Sequence, residues 1–390
     1  MKTIVNSGTL VGIAAGCVLT FCAAGLAAPF QLIVAETPVG SGSGQPLQRY
    51  LVEGTFGAMT RLSDIPADLT NDPIGGAFRS PLELFVGNRA QHSGNSSISR
   101  FTFDPTFNTF TPGAIITGNG VTDVAQLAFN PLDGELFQTN FPTGILSRFK
   151  FGAEGSAVPN GTITMPDSAR QLGVVVRPAD QQLFVSRYEG VRRFRRNLDG
   201  SYAYISTFYV GPPGGQIHFL KIRHDELYVC ELWSNSVYRY RFDAAGDPVF
   251  KDAIPSRRVI DVAFSPDGQE MFAANHYEGG ITRYRYDAET DSWVQFGDVI
   301  PTRQLGGLAT SYLPCGEPAQ DTDLDSDADL DDFAVFAQCL NGPEPPWSAS
   351  VANQHVCACL HADEDLDVDI NDFAVFQRCF SASARASSCQ

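Results

Sequence analysis

Residues 82–88 read LELFVGN, a strand-like run that ends in asparagine. Four further segments share this pattern: GELFQTN (134–140), QQLFVSR (181–187), DELYVCE (225–231) and QEMFAAN (269–275). After a turn, each is followed by a second run with an Arg-aromatic ending, as in ISRF (98–101) and ITRY (281–284). The arginines of these endings, Arg100, Arg148, Arg193, Arg239 and Arg283, step by 44 to 48 residues.

Each repeat also has an apolar run before it and a β-type run after it, such as VIDVAFSP (259–266) and YAYISTF (202–208). Four short strands per unit, separated by Gly, Pro, Asp and Asn turns, are typical of a β-propeller blade. The sequence therefore predicts an all-β propeller over residues 29–314. Period-two alternation turns the repeated arginine away from its apolar neighbours, so we expect it to pair with carboxylates between blades.

The two ends of this region predict the number of blades. QLIVAE (31–36) and LQRY (47–50) supply a second and a third strand without a first, whereas LGGLATSY (305–312) supplies a first strand alone. Joining them completes one blade from both termini, which closes the ring and removes its open edges. Five full blades and this composite blade make six, and no unassigned segment is long enough for a seventh.

The repeats resemble the NHL, YVTN and SMP-30/lactonase-like group of propellers. The resemblance is carried by LFVGNRAQHSGNSSISRFTFD (84–104) and MFAANHYEGGITRYRYD (271–287), and it extends over the whole repeat region. In this group the turn after the second strand lies on the face where ligands bind. The residues that end the second strands here are Glu36, Asn88, Asn140, Arg187, Glu231 and Asn275.

Lactonase-like members hold a metal that polarises a lactone carbonyl and activates water. The resemblance implies Glu36, Asn88, Asn140 and Asn275 as the ligands of such a metal, with calcium as a suitable hard cation. The alternative is structural: Asn commonly ends strands by bonding the local backbone, and Arg187 would place a cation in the ring. The sequence contains no nucleophile elbow, zinc-protease helix or P-loop. His218, His224 and His276 have no partner that the sequence identifies.

The N-terminus predicts an export signal over residues 1–28. Lys2 is followed by an apolar run over 10–26 and by small residues at Ala27 and Ala28. An uncleaved anchor is the alternative, because the run barely reaches membrane length. We therefore expect a secreted or extracytoplasmic protein with no stable membrane insertion after cleavage.

Charge and cysteine are concentrated in the tail, which we define as residues 315–390. From Glu317 onward fifteen acidic residues face two arginines, which leaves only −4 of the net charge of −17 to the rest. An acidic chain without a basic stripe argues against nucleic-acid binding. Six of the nine cysteines also lie in the tail and predict up to three disulfides, with zinc as the alternative. Cys230 stands alone in a strand pattern and is predicted to be a buried thiol.

The tail contains a second repeat. DFAVFAQCL (332–340) recurs as DFAVFQRCF (372–380), and the spacing of the phenylalanines predicts one apolar helical face in each copy. DTDLDSDADLDDF (321–333) precedes the first helix. A calcium loop needs oxygen ligands at positions 1, 3, 5, 9 and 12 and a carbonyl at position 7. The side-chain ligand positions 1, 3, 5, 9 and 12 are occupied by Asp321, Asp323, Asp325, Asp329 and Asp332. Position 7, the carbonyl ligand, is occupied by Asp327.

In the second loop the same register places Asp363, Asp365, Asp369 and Asp372 at positions 3, 5, 9 and 12, with Asp367 at position 7. Position 1 is His361, a poor calcium ligand, and position 6 is Leu366, which is awkward in a turn that favours positive φ. The tail resembles a dockerin, a pair of calcium-binding half EF-hands that binds a cohesin on another protein. The resemblance implies a small α-helical module over 315–390, calcium as its cofactor and a cohesin-like partner.

The sequence thus predicts an exported, monomeric six-bladed propeller with a dockerin-like module. The propeller would serve as a binding surface, for example in extracellular polysaccharide-related processes. The competing hypothesis is a metal-dependent lactonase-like hydrolase.

Overall fold

A computed structural model describes most of the propeller and scattered parts of the tail. The described residues are 30–36, 46–53, 56–66, 73–89, 96–104, 108–141, 143–152, 155–167, 170–277, 279–297, 299–302, 305–312, 330, 333, 336–337, 340, 360, 368 and 370–380. The predicted signal peptide lies outside them, as do all the predicted calcium ligands of the tail except Asp372. In this part of the chain no helix is long and apolar enough to cross a membrane.

Twenty-four strands make up the described propeller. The first eleven are β1 (Phe30–Glu36), β2 (Gln48–Val52), β3 (Met59–Arg61), β4 (Pro73–Ser80), β5 (Glu83–Asn88), β6 (Ser97–Asp104), β7 (Thr109–Ile116), β8 (Val124–Phe129), β9 (Leu136–Asn140), β10 (Ile145–Phe151) and β11 (Ala157–Thr164). The next seven are β12 (Val174–Val176), β13 (Leu183–Arg187), β14 (Gly190–Arg196), β15 (Tyr202–Tyr209), β16 (Ile217–Arg223), β17 (Glu226–Glu231) and β18 (Ser236–Phe242). The last six are β19 (Pro248–Pro255), β20 (Val259–Phe264), β21 (Glu270–Asn275), β22 (Ile281–Asp287), β23 (Ser292–Gln295) and β24 (Leu305–Tyr312).

These strands form six four-stranded antiparallel sheets, which confirms the six predicted blades. Five sheets are continuous in sequence: β4–β7, β8–β11, β12–β15, β16–β19 and β20–β23, which we number blades 2 to 6. The remaining sheet has the order β24-β1-β2-β3 and is the predicted composite blade, here blade 1. Its closing pair runs in register from Phe30 opposite Tyr312 to Ala35 opposite Gly307. The inner strands adjoin one another in the ring order β24, β4, β8, β12, β16 and β20.

The hydrophobic core is divided among the gaps between neighbouring blades. Between blades 6 and 1, for example, Phe30 and Leu32 of β1 pack with Phe272 of β21, and all three are fully buried. The aromatic position of the LELFVGN pattern is buried in each copy because it faces the next blade. Burying one such side chain contributes about 1.5–3 kcal/mol, and the repeat supplies that contribution at each interface.

The repeated arginine connects each blade to the next. Arg148 donates to Glu135 Oε1 over 2.8 Å within its own blade and to the carbonyl oxygen of Gly200 in the next blade over 2.8 Å. The same carbonyl contact occurs in every blade, from Arg49, Arg100, Arg148, Arg193, Arg239 and Arg283 to residues 108, 155, 200, 246, 291 and 57. The expectation of carboxylates between blades therefore needs correction: the neighbouring blade supplies a carbonyl each time, and an acidic side chain as well only in some interfaces.

A cluster of apolar side chains lies at the centre of the ring. Ile74, Ala125, Leu172 and Phe219 come from four inner segments, pack together and are all buried. Gly307 of β24 makes room for the Phe219 ring, because a Cβ there would lie 3.0 Å from that ring and 2.7 Å from the carbonyl oxygen of Ile74. We call this cluster the channel plug.

The tail contains one described helix, α1 (Ile370–Cys379), at the predicted position. The predicted apolar faces of the two copies pack together, with Phe336 and Phe376 buried and their ring centroids 5.1 Å apart. Phe333 and Phe373 lie beside them at 5.9 Å from each other. Asp372 in the first turn of α1 is buried.

Candidate functional site at the mouth of the channel

The candidate site lies at the mouth of the channel, meaning the end where the second strand of each blade finishes and the inner strand begins. His218 lies at the start of β16, and His276 directly follows β21. Arg89 directly follows β5, and Asp123 directly precedes β8. The mouth therefore collects these four residues from four blades through the shared register of the repeat.

His276 is held by a main-chain acceptor. Its Nδ1 lies 2.6 Å from the carbonyl oxygen of Leu305 in β24. A carbonyl oxygen can only accept, so Nδ1 carries the proton and Nε2 keeps its lone pair. Burial lowers the pKa of His276, and the charge of Arg89 lowers it further, while the bond to Leu305 opposes them. The ring is therefore neutral near pH 7 and presents a basic nitrogen.

His218 is the second imidazole of the mouth, with its ring centroid 6.3 Å from that of His276. Burial, followed by the charges of His276 and Arg89, lowers the pKa of His218 to about 3. Its Nε2 is buried and has no hydrogen-bond partner. Its main chain is fixed from blade 4, because Ser186 Oγ donates to the carbonyl oxygen of His218 over 2.6 Å. Both imidazoles are thus neutral over the physiological range.

Arg89 supplies the positive charge. Its Nε donates to Asp123 Oδ1 over 2.6 Å, and its guanidinium lies 4.4 Å from the centre of the Phe141 ring. Phe141 and Tyr188 rest on the channel plug. Arg170 also contacts both rings and donates to the Tyr188 hydroxyl over 2.9 Å. Arg89 and Arg170 therefore lie against the apolar rings of Phe141 and Tyr188 at the mouth, and we call these two rings the apolar floor.

An aromatic pair borders the mouth beside His276. The Tyr277 ring lies 4.6 Å from that of His276 and stacks with Trp233 at 6.1 Å. Trp233 is 47% exposed and Tyr277 is 56% exposed. The Arg258 guanidinium lies 4.6 Å from the centre of the Trp233 ring. Exposed flat rings of this kind offer apolar contact area to a bound ligand.

The six strand-ending residues singled out from the sequence are all engaged locally. Asn88, Asn140 and Asn275 each donate through Nδ2 to a Ser or Thr hydroxyl on the third strand of their own blade. Glu36 accepts from Gln48 over 2.5 Å. Glu231 accepts main-chain N–H groups of Gln216, Trp233 and Ser234. Arg187 donates to Asp167 over 2.6 Å.

The predicted metal ligands fit a metal only in part. The Asn275 Oδ1 atom is buried without a hydrogen-bond partner, as a ligand awaiting a cation would be. The Asn140 Oδ1 atom instead accepts from the N–H of Thr122 and from Gln138. Among the described residues, no group of three or more His, Cys, Asp or Glu side chains could hold a metal. The four-residue calcium site stays a prediction.

Two of the charged or basic residues at the mouth were singled out from the sequence. His218 and His276 were noted without a partner, and the structure brings them together. Arg89 and Asp123 were missed, although each adjoins a strand end that the repeat marks. His224 lies away from the mouth, in the hairpin between β16 and β17. Cys230 is fully buried and free, as predicted, and burial raises the pKa of its thiol.

No protein-family model matches the chain, and no curated protein matches it. Several solved structures share its fold. A putative 6-phosphogluconolactonase from Bacteroides uniformis ATCC 8492 has a TM-score of 0.54 and 18% identity, covering 70% of this chain and 83% of its own. A second, from Bacteroides fragilis NCTC 9343, has a TM-score of 0.56 and 14% identity, with coverages of 73% and 98%.

The periplasmic gluconolactonase of Pseudomonas aeruginosa has a TM-score of 0.56 and 16% identity, covering 74% of this chain and 100% of its own. At these identities the likeness concerns the fold alone. The chain is a six-bladed β-propeller with lactonase-like structural neighbours.

Proposed function

We propose that the propeller is a lactonase-like hydrolase that works at the mouth of the channel. The observation that carries this proposal is the pair of neutral imidazoles, His218 and His276, beside the guanidinium of Arg89. Hydrolysis of a lactone needs a base for water and a positive group for the oxyanion that forms. The fold shared with proteins described as gluconolactonases supports the same reaction class.

In this mechanism His276 acts as the general base. Its Nε2 takes a proton from water as the water oxygen attacks the lactone carbonyl carbon. Arg89 stabilises the oxyanion of the tetrahedral intermediate, and the apolar floor keeps that interaction from being weakened by bulk water. When the ring C–O bond breaks, the proton on His276 passes to the leaving alkoxide. His218 stays neutral and holds the water through its unpartnered Nε2.

The border of the mouth favours a sugar lactone. Trp233 and Tyr277 present flat, exposed rings, which can pack against the C–H face of a sugar ring while hydroxyl groups stay in water. The substrate class that follows is a lactone of a polyhydroxylated acid.

The test is hydrolysis of glucono-δ-lactone, followed by pH-stat titration with the spontaneous rate subtracted. Loss of a positioned general base costs about 10²–10⁴-fold in rate, so His276→Gln should lower kcat at least about 100-fold. Arg89→Gln should lower kcat/KM similarly, through the loss of the oxyanion partner.

The matched control is His224→Asn, since this histidine lies away from the mouth and has a φ of 46°, which asparagine tolerates. That variant should keep the wild-type rate. The proposal fails if wild-type protein does not accelerate hydrolysis of gluconolactone or other sugar lactones, or if His276→Gln remains as active as wild type.

We further propose that the tail is a calcium-binding, dockerin-like docking module, which binds a cohesin-like protein. The packing of the two repeated phenylalanine faces supports this proposal, because it joins the copies as a paired-helix module requires. Calcium would be held by the two aspartate loops, and export through residues 1–28 would place the protein outside the cytoplasm.

Calorimetric titration of the oxidised full chain with calcium tests the module. Asp321→Asn combined with Asp323→Asn should abolish one binding event, because both positions are ligands of the first loop. The control is Asp331→Asn in the same run of aspartates, since position 11 of the loop is not a ligand position. Equal calcium binding by the double variant and the control would refute the assignment.

A further inference from the structure

Blade 4 differs from the other blades beside the mouth. The residue before the repeated arginine is neutral in five blades, namely Gln48, Ser99, Ser147, Tyr238 and Thr282. In blade 4 it is Arg192, and the strand-ending residue of the same blade is Arg187. Two guanidinium groups therefore stand where the repeat elsewhere uses neutral or acidic side chains.

Both arginines bind the same carboxylate. Arg187 Nη1 donates to Asp167 Oδ2 over 2.6 Å, and Arg192 Nη2 donates to Asp167 Oδ1. Asp167 lies in the connection between β11 and β12, outside the strands of either blade. Two positive charges thus face one negative charge, which leaves the cluster with an excess of one positive charge.

Arg192 has hydrogen-bonding capacity that the fold does not use. Its side chain is 0% exposed, yet Nε and Nη1 have no hydrogen-bond partner. Leaving a buried donor of a charged group without a hydrogen-bond partner is energetically costly. Burial accordingly lowers the pKa of Arg192, although Asp167 opposes this. A buried arginine that the repeat does not need, with two unused donors, indicates a site for an additional acceptor.

The cluster is open to solvent on the side of Asp167, whose side chain is 38% exposed. It also adjoins the mouth, because Ser186, the neighbour of Arg187, donates to the carbonyl oxygen of His218. Arginine pairs bind carboxylate and phosphate oxygens through charge-assisted, often bidentate hydrogen bonds.

We propose that Arg187 and Arg192 form a binding site for an oxyanion group of a ligand, a carboxylate or a phosphate, and that Asp167 is the internal carboxylate that exchanges with it. The ligand oxygens take over the donors that now bind Asp167 and reach Nε or Nη1 of Arg192. The Asp167 carboxylate moves out into solvent. Binding itself does not depend on the hydrolase proposal.

The test is calorimetric titration of the full chain at low ionic strength with inorganic phosphate and, separately, with acetate. Asp167→Asn removes the competing charge and should tighten binding of at least one anion by about 10-fold or more, since one tenfold step corresponds to 1.4 kcal/mol. Arg192→Met should abolish that binding. Tighter binding of phosphate identifies a phosphate site, and tighter binding of acetate identifies a carboxylate site.

The control is Arg196→Met on the same strand, where Arg196 pairs with Asp133 near the surface. This variant should bind anions as wild type does. Arg187→Met provides a second loss-of-binding variant in case Arg192→Met does not fold. The proposal is overturned if Asp167→Asn binds neither anion more tightly than wild type, or if Arg187→Met binds as wild type does. Lactone hydrolysis by the wild-type protein is scored separately, so failure of Asp167→Asn to bind either anion more tightly, with lactone hydrolysis by wild type observed, overturns this proposal alone.

Discussion

At the scale of single residues, the repeated arginine has a structural role that its charge alone does not reveal. Arg148 is 8% exposed and Glu135 is 0% exposed, so their ion pair is shielded from water. The Arg148 guanidinium also lies 5.2 Å from the centre of the Tyr202 ring of the next blade. The pair therefore belongs to the interface between two blades and to the core of neither.

Replacing Arg148 should be costly. Arg148→Met leaves the Glu135 carboxylate buried without its cation, and breaking a buried pair typically costs about 3–5 kcal/mol. Urea denaturation should show that loss in the free energy of unfolding. Arg61→Met is the control, because Arg61 and Asp64 form an exposed pair that is worth less than about 1 kcal/mol. Equal losses for the two variants would contradict the role assigned to Arg148.

Asp261 is a second buried charge, located on the inner strand β20. It accepts from the N–H of Leu308 over 2.8 Å and lies 3.7 Å from Lys221 Nζ. Burial raises the pKa of Asp261 from 3.8 to about 6, although Lys221 and the N–H groups of Leu308 and Val262 oppose this. Between these two values the folded protein holds a proton that the unfolded chain has lost. The contribution of Asp261 to stability therefore falls as the pH rises through this window.

We expect Asp261→Asn to lose less stability at pH 7 than at pH 4.5, because asparagine carries no charge to desolvate at either pH. Each pKa unit corresponds to about 1.4 kcal/mol, so the difference between wild type and variant should change by about 1–3 kcal/mol over this range. Urea denaturation at both pH values measures it. A loss that grows with pH would show that the attraction to Lys221 outweighs burial.

At the scale of elements, sequence pattern predicted the strands well because period-two alternation and turn residues mark them directly. The second and third strands of each blade carry the repeated letters, and the structure places them where the pattern does. LQRY was recognised from the sequence as a strand, but Arg49 was missed as the sixth repeated arginine. The carbonyl oxygen that accepts from Arg49 belongs to Asn108 in the next blade, which lies far along the chain. Contacts between blades depend on the ring, which no local pattern encodes.

The same limit applies to the mouth. Asn88, Asn140 and Asn275 were conspicuous because they recur at the same position of the repeat. Their recurrence has a structural cause, because each side chain donates a hydrogen bond to a hydroxyl group on the next strand. Arg89 and Asp123 do not recur in the other blades. They lie 34 positions apart in the sequence, and only the folded chain brings them together as an ion pair. Residues that depart from the repeat are the better guide to function in a propeller, because the repeat itself serves the fold.

At the scale of the whole molecule, β24 closes the ring by pairing with β1 and by adjoining both β4 and β20. It also provides Leu305, whose carbonyl oxygen fixes His276, and Gly307, which admits the Phe219 ring. Ring closure, the channel plug and the candidate base are therefore linked through one strand.

Truncation should distinguish the contribution of β24 to the stability of the ring from that of the tail. A chain ending at residue 312 keeps β24 and should unfold cooperatively and retain lactone hydrolysis. A chain ending at residue 304 leaves β1 with an open edge and His276 without its acceptor. We expect that chain to lose the cooperative thermal transition and to aggregate, as open strand edges promote. Calorimetry and light scattering on the two chains decide this, and similar behaviour of both would contradict the role of β24.

The most direct test of the account is the pH profile of kcat/KM for lactone hydrolysis by the full chain. Because burial and Arg89 lower the pKa of His276 below its ordinary value of 6.5, the catalysed rate should fall as the pH is lowered, with its midpoint below pH 6.5. His276→Gln should show no such profile above the spontaneous reaction. A midpoint at or above pH 6.5, or the same profile in His276→Gln, would contradict a neutral imidazole base at the mouth of this propeller.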